Sequence, residues 1–264
     1  MERLLMLRLQ SMGCAAQAWL NDIPMIRTPH AGGALVVPVH EYVLEGDNDI
    51  RLVLEPTPLA AAAPPRIAAA DLAANMRLLL PRVGRVGSES SARSLAGLDL
   101  AVPEGEVYTP GLQCCQSVVL PVKFPRWRWL DVPVIPDAQS VQPIVAAFVQ
   151  NLAIALAKGD ADAFLQAARL RFEETALAYQ QPLSDLAARW RSRVQLLHAT
   201  KALKLVVLPA LNDVQVVPCA GGRLLECIAP DGEPILRTEA AADGSRHAWP
   251  IRVAVVEGHC HVMR

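Results

Sequence analysis

The chain has 264 residues, of which 52% are hydrophobic and 19% charged, and its net charge is −1. That much apolar side chain can offset the entropy of ordering, which excludes a disordered chain; the even charge balance in both halves excludes the basic surface that nucleic acid needs. Six cysteines in a chain this long do not make a disulfide scaffold, so free thiols in a cytoplasm are expected.

The N-terminal stretch is apolar-rich, and Ser11-Met12-Gly13-Cys14 has a lipoprotein-like spacing. Glu2 where a basic start belongs, and Arg8 and Gln10 within the apolar run, argue against a leader. No run of about 18 uncharged apolar residues occurs, so no membrane-spanning helix and no membrane partner are expected. Leu4–Leu9, Ala34–His40 and Ile50–Leu54 alternate or run apolar over strand lengths, and Glu45-Gly46-Asp47-Asn48-Asp49 has turn composition. Pro56–Pro65 reads as a connector, and residues 68–80 predict a short helix across the sheet. Ser94–Val102, Gln113–Phe124 and Arg126–Ile135 read as further strands. Pro38, Pro121 and Pro133 suit edges or bulges, because proline lacks a ladder donor. Many short strands separated by turns predict an antiparallel sandwich over residues 1–137.

The period changes across Pro133–Pro143, which predicts a second domain over 138–264. Val141, Ile144, Val145, Phe148, Val149 and Leu152 recur at helical steps, and Gly159 ends that helix. Asp160 then stands as an N-cap, and Phe164, Ala168, Phe172, Ala176 and Tyr179 stack at i+4 steps of a second helix. Pro182 opens a third, with Leu183, Leu186, Trp190, Val194 and Leu197 on its buried face. Arg189, Arg191 and Arg193 lie off that face. Strands return at Leu203–Leu208, Val214–Pro218, Arg223–Ile228, Pro234–Thr238, Ile251–Val256 and His259–Met263, with Asp231-Gly232, Asp243-Gly244 and Glu257-Gly258 as turns. The fold class is therefore α+β: an N-terminal antiparallel β-sandwich, then three helices packed on an antiparallel sheet.

Two segments carry resemblances. Trp19-Leu20-Asn21-Asp22 followed by His40-Glu41-Tyr42-Val43-Leu44-Glu45-Gly46-Asp47-Asn48-Asp49 resembles the sugar-binding sandwich domains attached to β-galactosidase-type enzymes, with Asp22 where those domains carry glycine. The order of helices and then strands in residues 138–264 resembles cone-shaped α+β folds of the nuclear transport factor type. The first implies a sandwich and a carbohydrate-binding module as one function; the second implies a pocket within the cone.

Motifs with chemistry are few. There is no G-x-x-x-x-G-K-[ST], no G-x-G-x-x-G and no C-x-x-C; Gly87-Ser88-Glu89-Ser90-Ser91 lacks the second glycine of a nucleophile elbow, and His40-Glu41 lacks the second histidine of H-E-x-x-H. His259-Cys260-His261 is the densest group of ligand types. On a strand the two histidines share a face, and His247 or Cys227 would have to supply a third ligand. The expectation is solvated histidines, a buried cysteine, no metal and no cofactor. Cys114-Cys115 point to opposite faces and read as buried small hydrophobes. Asp160, Asp162, Glu173 and Glu174 read as caps and a solvated face rather than paired catalytic carboxylates. Trp127-Arg128-Trp129 puts both indoles on one face. Trp127 and Trp129 are the ligand-binding candidates if exposed, and core of the first domain if not.

The sum is a non-catalytic bacterial cytoplasmic protein that acts by contacting another macromolecule, a protein partner above all, with a homo-oligomer allowed. The alternatives are a small-molecule binder or enzyme using a pocket in the second half, and a carbohydrate module in the first.

Overall fold

Alternation in the first half and helical periodicity in the second are both realised in three dimensions. The computed structural model describes residues 4–56, 63–81, 92–120, 122–200, 209–241 and 244–264. The expected strand 203–208, the Gly87–Ser91 segment, Pro121 and Asp243 lie outside the described residues. The chain divides into two units, Met1–Arg126 and Trp127–Arg264.

The first unit is built from β1 (Met6–Met12), β2 (Ala16–Leu20), β3 (Ile23–Arg27), β4 (Gly32–Pro38), β5 (Gly46–Leu54), β6 (Arg66–Ile67), β7 (Leu72–Pro81), β8 (Ala92–Val102), β9 (Val107–Tyr108) and β10 (Leu112–Leu120). Two four-stranded antiparallel sheets, ordered β4-β1-β7-β8 and β10-β5-β2-β3, form a sandwich. Strand alternation fills it: Leu7 and Leu9 from β1, Met76 and Leu78 from β7, and Ile50 and Leu52 from β5 are fully buried. Asn21 and Asp22 both take positive φ (52° and 57°), the conformation that a two-residue hairpin between β2 and β3 requires. Gly32 (φ 85°) begins β4 where a side chain would stand 2.7 Å from the Ser11 carbonyl oxygen, so only glycine fits.

Residues 68–80 do not form the expected helix. Their apolar positions fit both periods, but Leu72–Pro81 is a strand inserted between β1 and β8. Leu72, Ala74, Met76 and Leu78 face inward, while Arg77 pairs across the strands with Asp99 at 2.7 Å. Pairing on both sides satisfies the whole backbone, which an isolated surface turn of helix would not.

The second unit contains α1 (Ala138–Ala157), α2 (Ala161–Ala167), α3 (Arg169–Ala178) and α4 (Leu183–Ala199), then β11 (Gln215–Cys219), β12 (Leu224–Ile228), β13 (Arg252–Val256) and β14 (His259–Val262) in one antiparallel sheet in that order. Asp137 caps α1 by accepting from Gln139 N–H at 2.9 Å, and Asp160 caps α2 by accepting from Asp162 and Ala163. The single helix expected over 160–179 is broken at Ala168, where φ falls to −102°. Residues 234–238 contribute isolated bridges, Ile228 to Pro234 and Arg237 to Ala248, rather than a strand. Glu257 and Gly258, both at positive φ, turn β13 into β14. The core lies between helices and sheet: Val145, Val149 and Leu156 of α1, Phe164 of α2, Val194 of α4, and Leu225, Val253 and Val262 of the sheet are buried together. Trp190 stacks on Phe164 with ring centroids 4.5 Å apart and meets Phe172 and Trp249 edge-on.

Trp127 and Trp129 are not on a strand of the sandwich. Pro125 and Pro133, which cannot donate to a ladder, bracket the segment, and Arg128–Asp131 forms a 3-10 turn belonging to the second unit. Arg128 N–H donates to Glu174 Oε1 at 2.6 Å, Arg223 donates to the Val132 carbonyl, and Ile135 N–H donates to the Gly222 carbonyl at 2.9 Å. These bonds tie residues 127–135 to the helices and sheet that follow, so the structural division precedes the change of period.

Candidate functional site

An open groove of about 760 Å³ runs between α1, the α2–α3 corner and the β13–β14 hairpin. α1 explains its apolar wall. No Asp, Glu, Lys or Arg occurs in Ala138–Ala157, and its best 18-residue window has a mean hydropathy of 1.6, long and apolar enough to cross a membrane by length and composition. Only 33% of that window is buried. The helix therefore carries more apolar surface than its core stripe of Val145, Val149, Leu152 and Leu156 needs. Ile144, Ala147 and Phe148 face the groove, opposite Ala163, Ala167 and Leu170.

The polar lining is Asn151, Gln166, Arg169, His259 and His261; among the described residues no carboxylate lines it. Arg169 pairs with Glu173 at 3.3 Å, and the same carboxylate binds Arg128. Cys260, opposite Val255 in the hairpin, packs against the core, and burial pushes its thiol up to about 11. At neutral pH it is a protonated, weakly nucleophilic group.

Sequence reasoning had singled out His259, Cys260 and His261 for metal binding and expected none. They do meet at a site, through β14 as a groove wall. His259 is exposed, and His261 and Cys260 are half-buried. The proposed third ligands are placed elsewhere: His247 Nδ1 lies 3.1 Å from Arg193, and Cys227 is fully buried with its thiol pKa raised by desolvation. Among the described residues no three His, Cys, Asp or Glu side chains come together as a metal-holding group. The wall formed by α1 was missed because helical period alone does not tell Ile144, which is exposed, from Val145 and Val149, which are buried, while Phe148 borders both core and groove.

Trp127 and Trp129 are buried at 1% and 3% exposure, so neither offers a ring face to a sugar. The carboxylates divide. Asp160 caps α2, Asp162 pairs with Arg191 at 2.6 Å, and Glu173 bridges arginines. Glu174, expected on a solvated face, is instead buried at 5% exposure, where Arg264 donates to its Oε2 and Arg128 N–H to its Oε1. No disulfide joins any of the six cysteines; Cys115 is exposed and Cys114 half-buried, where both were expected inside. The Asn21–Asn48 motif is occupied internally. Asn48 is 1% exposed, and both of its amide atoms are bonded to Leu44, Gly46 and Asn21. No protein-family model, curated protein or solved structure matches the chain.

Proposed function

We propose that this protein is a non-catalytic binder whose second unit seats a small amphipathic anion, an apolar body with a carboxylate head, in the groove beside α1. The observation that carries this is the apolar wall that Ile144, Ala147 and Phe148 of α1 present to a groove whose polar lining, among the described residues, contains donors and no carboxylate. A volume of about 760 Å³ suits a drug-sized or acyl-chain ligand. Burial of the chain would supply the affinity, and Arg169 would fix the head. This favours the small-molecule reading over contact with a macromolecule at this site. The free thiols, together with basic side chains that are almost all arginine, support a reducing bacterial cytoplasm as its place.

The test is calorimetric titration of the full chain with dodecanoate. One saturable site is expected. Ala147→Trp, which fills the groove, should abolish binding, and Arg169→Gln should weaken it about tenfold, the worth of a charge-assisted hydrogen bond. Bound dodecanoate should also slow alkylation of Cys260, assayed at alkaline pH because its thiol ionises only near 11. Absence of binding, or binding that Ala147→Trp leaves intact, overturns the reading.

A further inference from the structure

Edge strands present unpaired N–H and C=O groups, and folded proteins guard them with charge, proline, bulges or cover. The sandwich guards most of its edges. β3 carries Pro24 and Arg27, and its pairing with β2 is bulged at Ala18/Trp19. β10 runs close beside β8, with the Cys114 thiol 3.9 Å from the Asp99 carbonyl oxygen. β4 differs. Residues 31–39, Ala-Gly-Gly-Ala-Leu-Val-Val-Pro-Val, contain no charge. Its register with β1 is unbroken from Met6↔Pro38 to Met12↔Gly32. Leu35 and Val36, on opposite faces, are 39% and 42% exposed.

The register also says which backbone groups are free. Val39 N–H donates to the Leu5 carbonyl at 3.1 Å, so by alternation Val37 and Leu35 turn their backbone groups to β1 while Ala34, Val36 and Pro38 turn theirs outward. Pro38 stands where its missing donor is not needed. Ala34 and Val36 have no backbone partner on that side among the described residues.

We propose that β4 pairs antiparallel with β4 of a second copy of this chain about a two-fold axis at Leu35. Ala34 of each copy then exchanges N–H···O=C bonds with Val36 of the other, which satisfies every outward group between them, and Leu35 meets Leu35 as a closely spaced non-hydrogen-bonded pair. The chemistry selects a second copy because the strand is self-complementary. A charged strand would repel itself in this arrangement, whereas the two bonded rungs here read Arg8, Val36, then Ala34 and Gln10 of the second copy, and the central rung reads Leu9, Leu35, then Leu35 and Leu9 of the second copy. The nearest charges, Arg8 and its cross-strand neighbour Arg77, stand at least one strand back from the seam, and neither faces a like charge across it. This proposal is independent of the groove.

Sedimentation of the full chain over a wide concentration range tests it. A concentration-dependent dimer is expected. Val36→Pro removes an outward N–H while leaving the bonds of β4 to β1 intact, and Leu35→Lys places like charges face to face; both should be monomeric. Wild-type hydrogen exchange should show the Ala34 and Val36 amides protected as dimer forms. A chain that stays monomeric throughout overturns the proposal. So does a dimer that survives both substitutions, or one in which the two amides exchange freely; those outcomes place the contact elsewhere or give the edge to a different strand. Should Val36→Pro melt well below wild type, Leu35→Lys and the exchange data still decide.

Discussion

Asn48 shows how a polar residue can be part of a core. Its side-chain nitrogen donates to the Leu44 and Gly46 carbonyls at 2.9 Å each, and its oxygen accepts from Leu44 N–H at 2.8 Å and from the Asn21 amide at 2.9 Å. Asn21 in turn donates to the Tyr42 carbonyl and accepts from Asp49 N–H. The β2–β3 hairpin is thus sewn to the connection that leads into β5. Replacing Asn48 by Ala leaves buried backbone groups unpaired, and each such group costs about 1–3 kcal/mol. We expect Asn48→Ala to lower stability by about 3 kcal/mol in urea denaturation, and Asn48→Asp to cost at least as much, because a buried carboxylate oxygen would face the Leu44 and Gly46 carbonyl oxygens that the amide nitrogen now serves. The turn composition of residues 45–49 misleads: Gly46–Asp49 already belong to β5 and pair with β10, and only Gly46 takes the positive φ that the composition announces. The Asn21–Asn48 bond was not legible either, since it links positions far apart in sequence and no period reveals it.

At the scale of elements, helix ends were read more accurately than helix interiors. Gly159 and Asp160 announced the α1–α2 corner, and the structure uses both. Gly159 takes φ 77°, and a side chain there would stand 2.7 Å from the His198 ring of α4. Gly159→Ala should therefore destabilise the fold by about 1–3 kcal/mol from backbone strain, with a further cost from displacing His198. Adding His198→Ala should recover the steric part and leave the strain, so a double-mutant cycle should be clearly non-additive. Additive costs would mean that the two helices do not bear on each other at this point. By contrast, the break at Ala168 has no glycine or proline to mark it, and residues 68–80 fit two periods equally. Period arguments fail where the apolar set satisfies both, and only the neighbours β1 and β8 decide.

At the scale of the whole molecule, the tryptophans reassign a boundary. Reading Trp127 and Trp129 as alternate residues of a strand places them in the sandwich; their burial was foreseeable, their address was not, because what holds them lies far along the chain. Trp127 packs under the Arg264 guanidinium, 5.7 Å from its ring centroid, and Arg264 is ion-paired to Glu174, which also receives Arg128 N–H. An indole, a buried ion pair and the start of the 3-10 turn thus form one assembly within the second unit. Truncating a buried aromatic side chain costs about 3–5 kcal/mol, a large part of the roughly 5–15 kcal/mol that holds a domain together. The cost should fall where the contacts are. In hydrogen exchange of the full chain, Trp127→Ala should raise exchange in α1, β12 and β13 and leave β1, β5 and β7 as in wild type. If β1 and β7 open to the same extent as α1, the indole stabilises the sandwich after all, and the division at residue 126 does not describe how the chain unfolds.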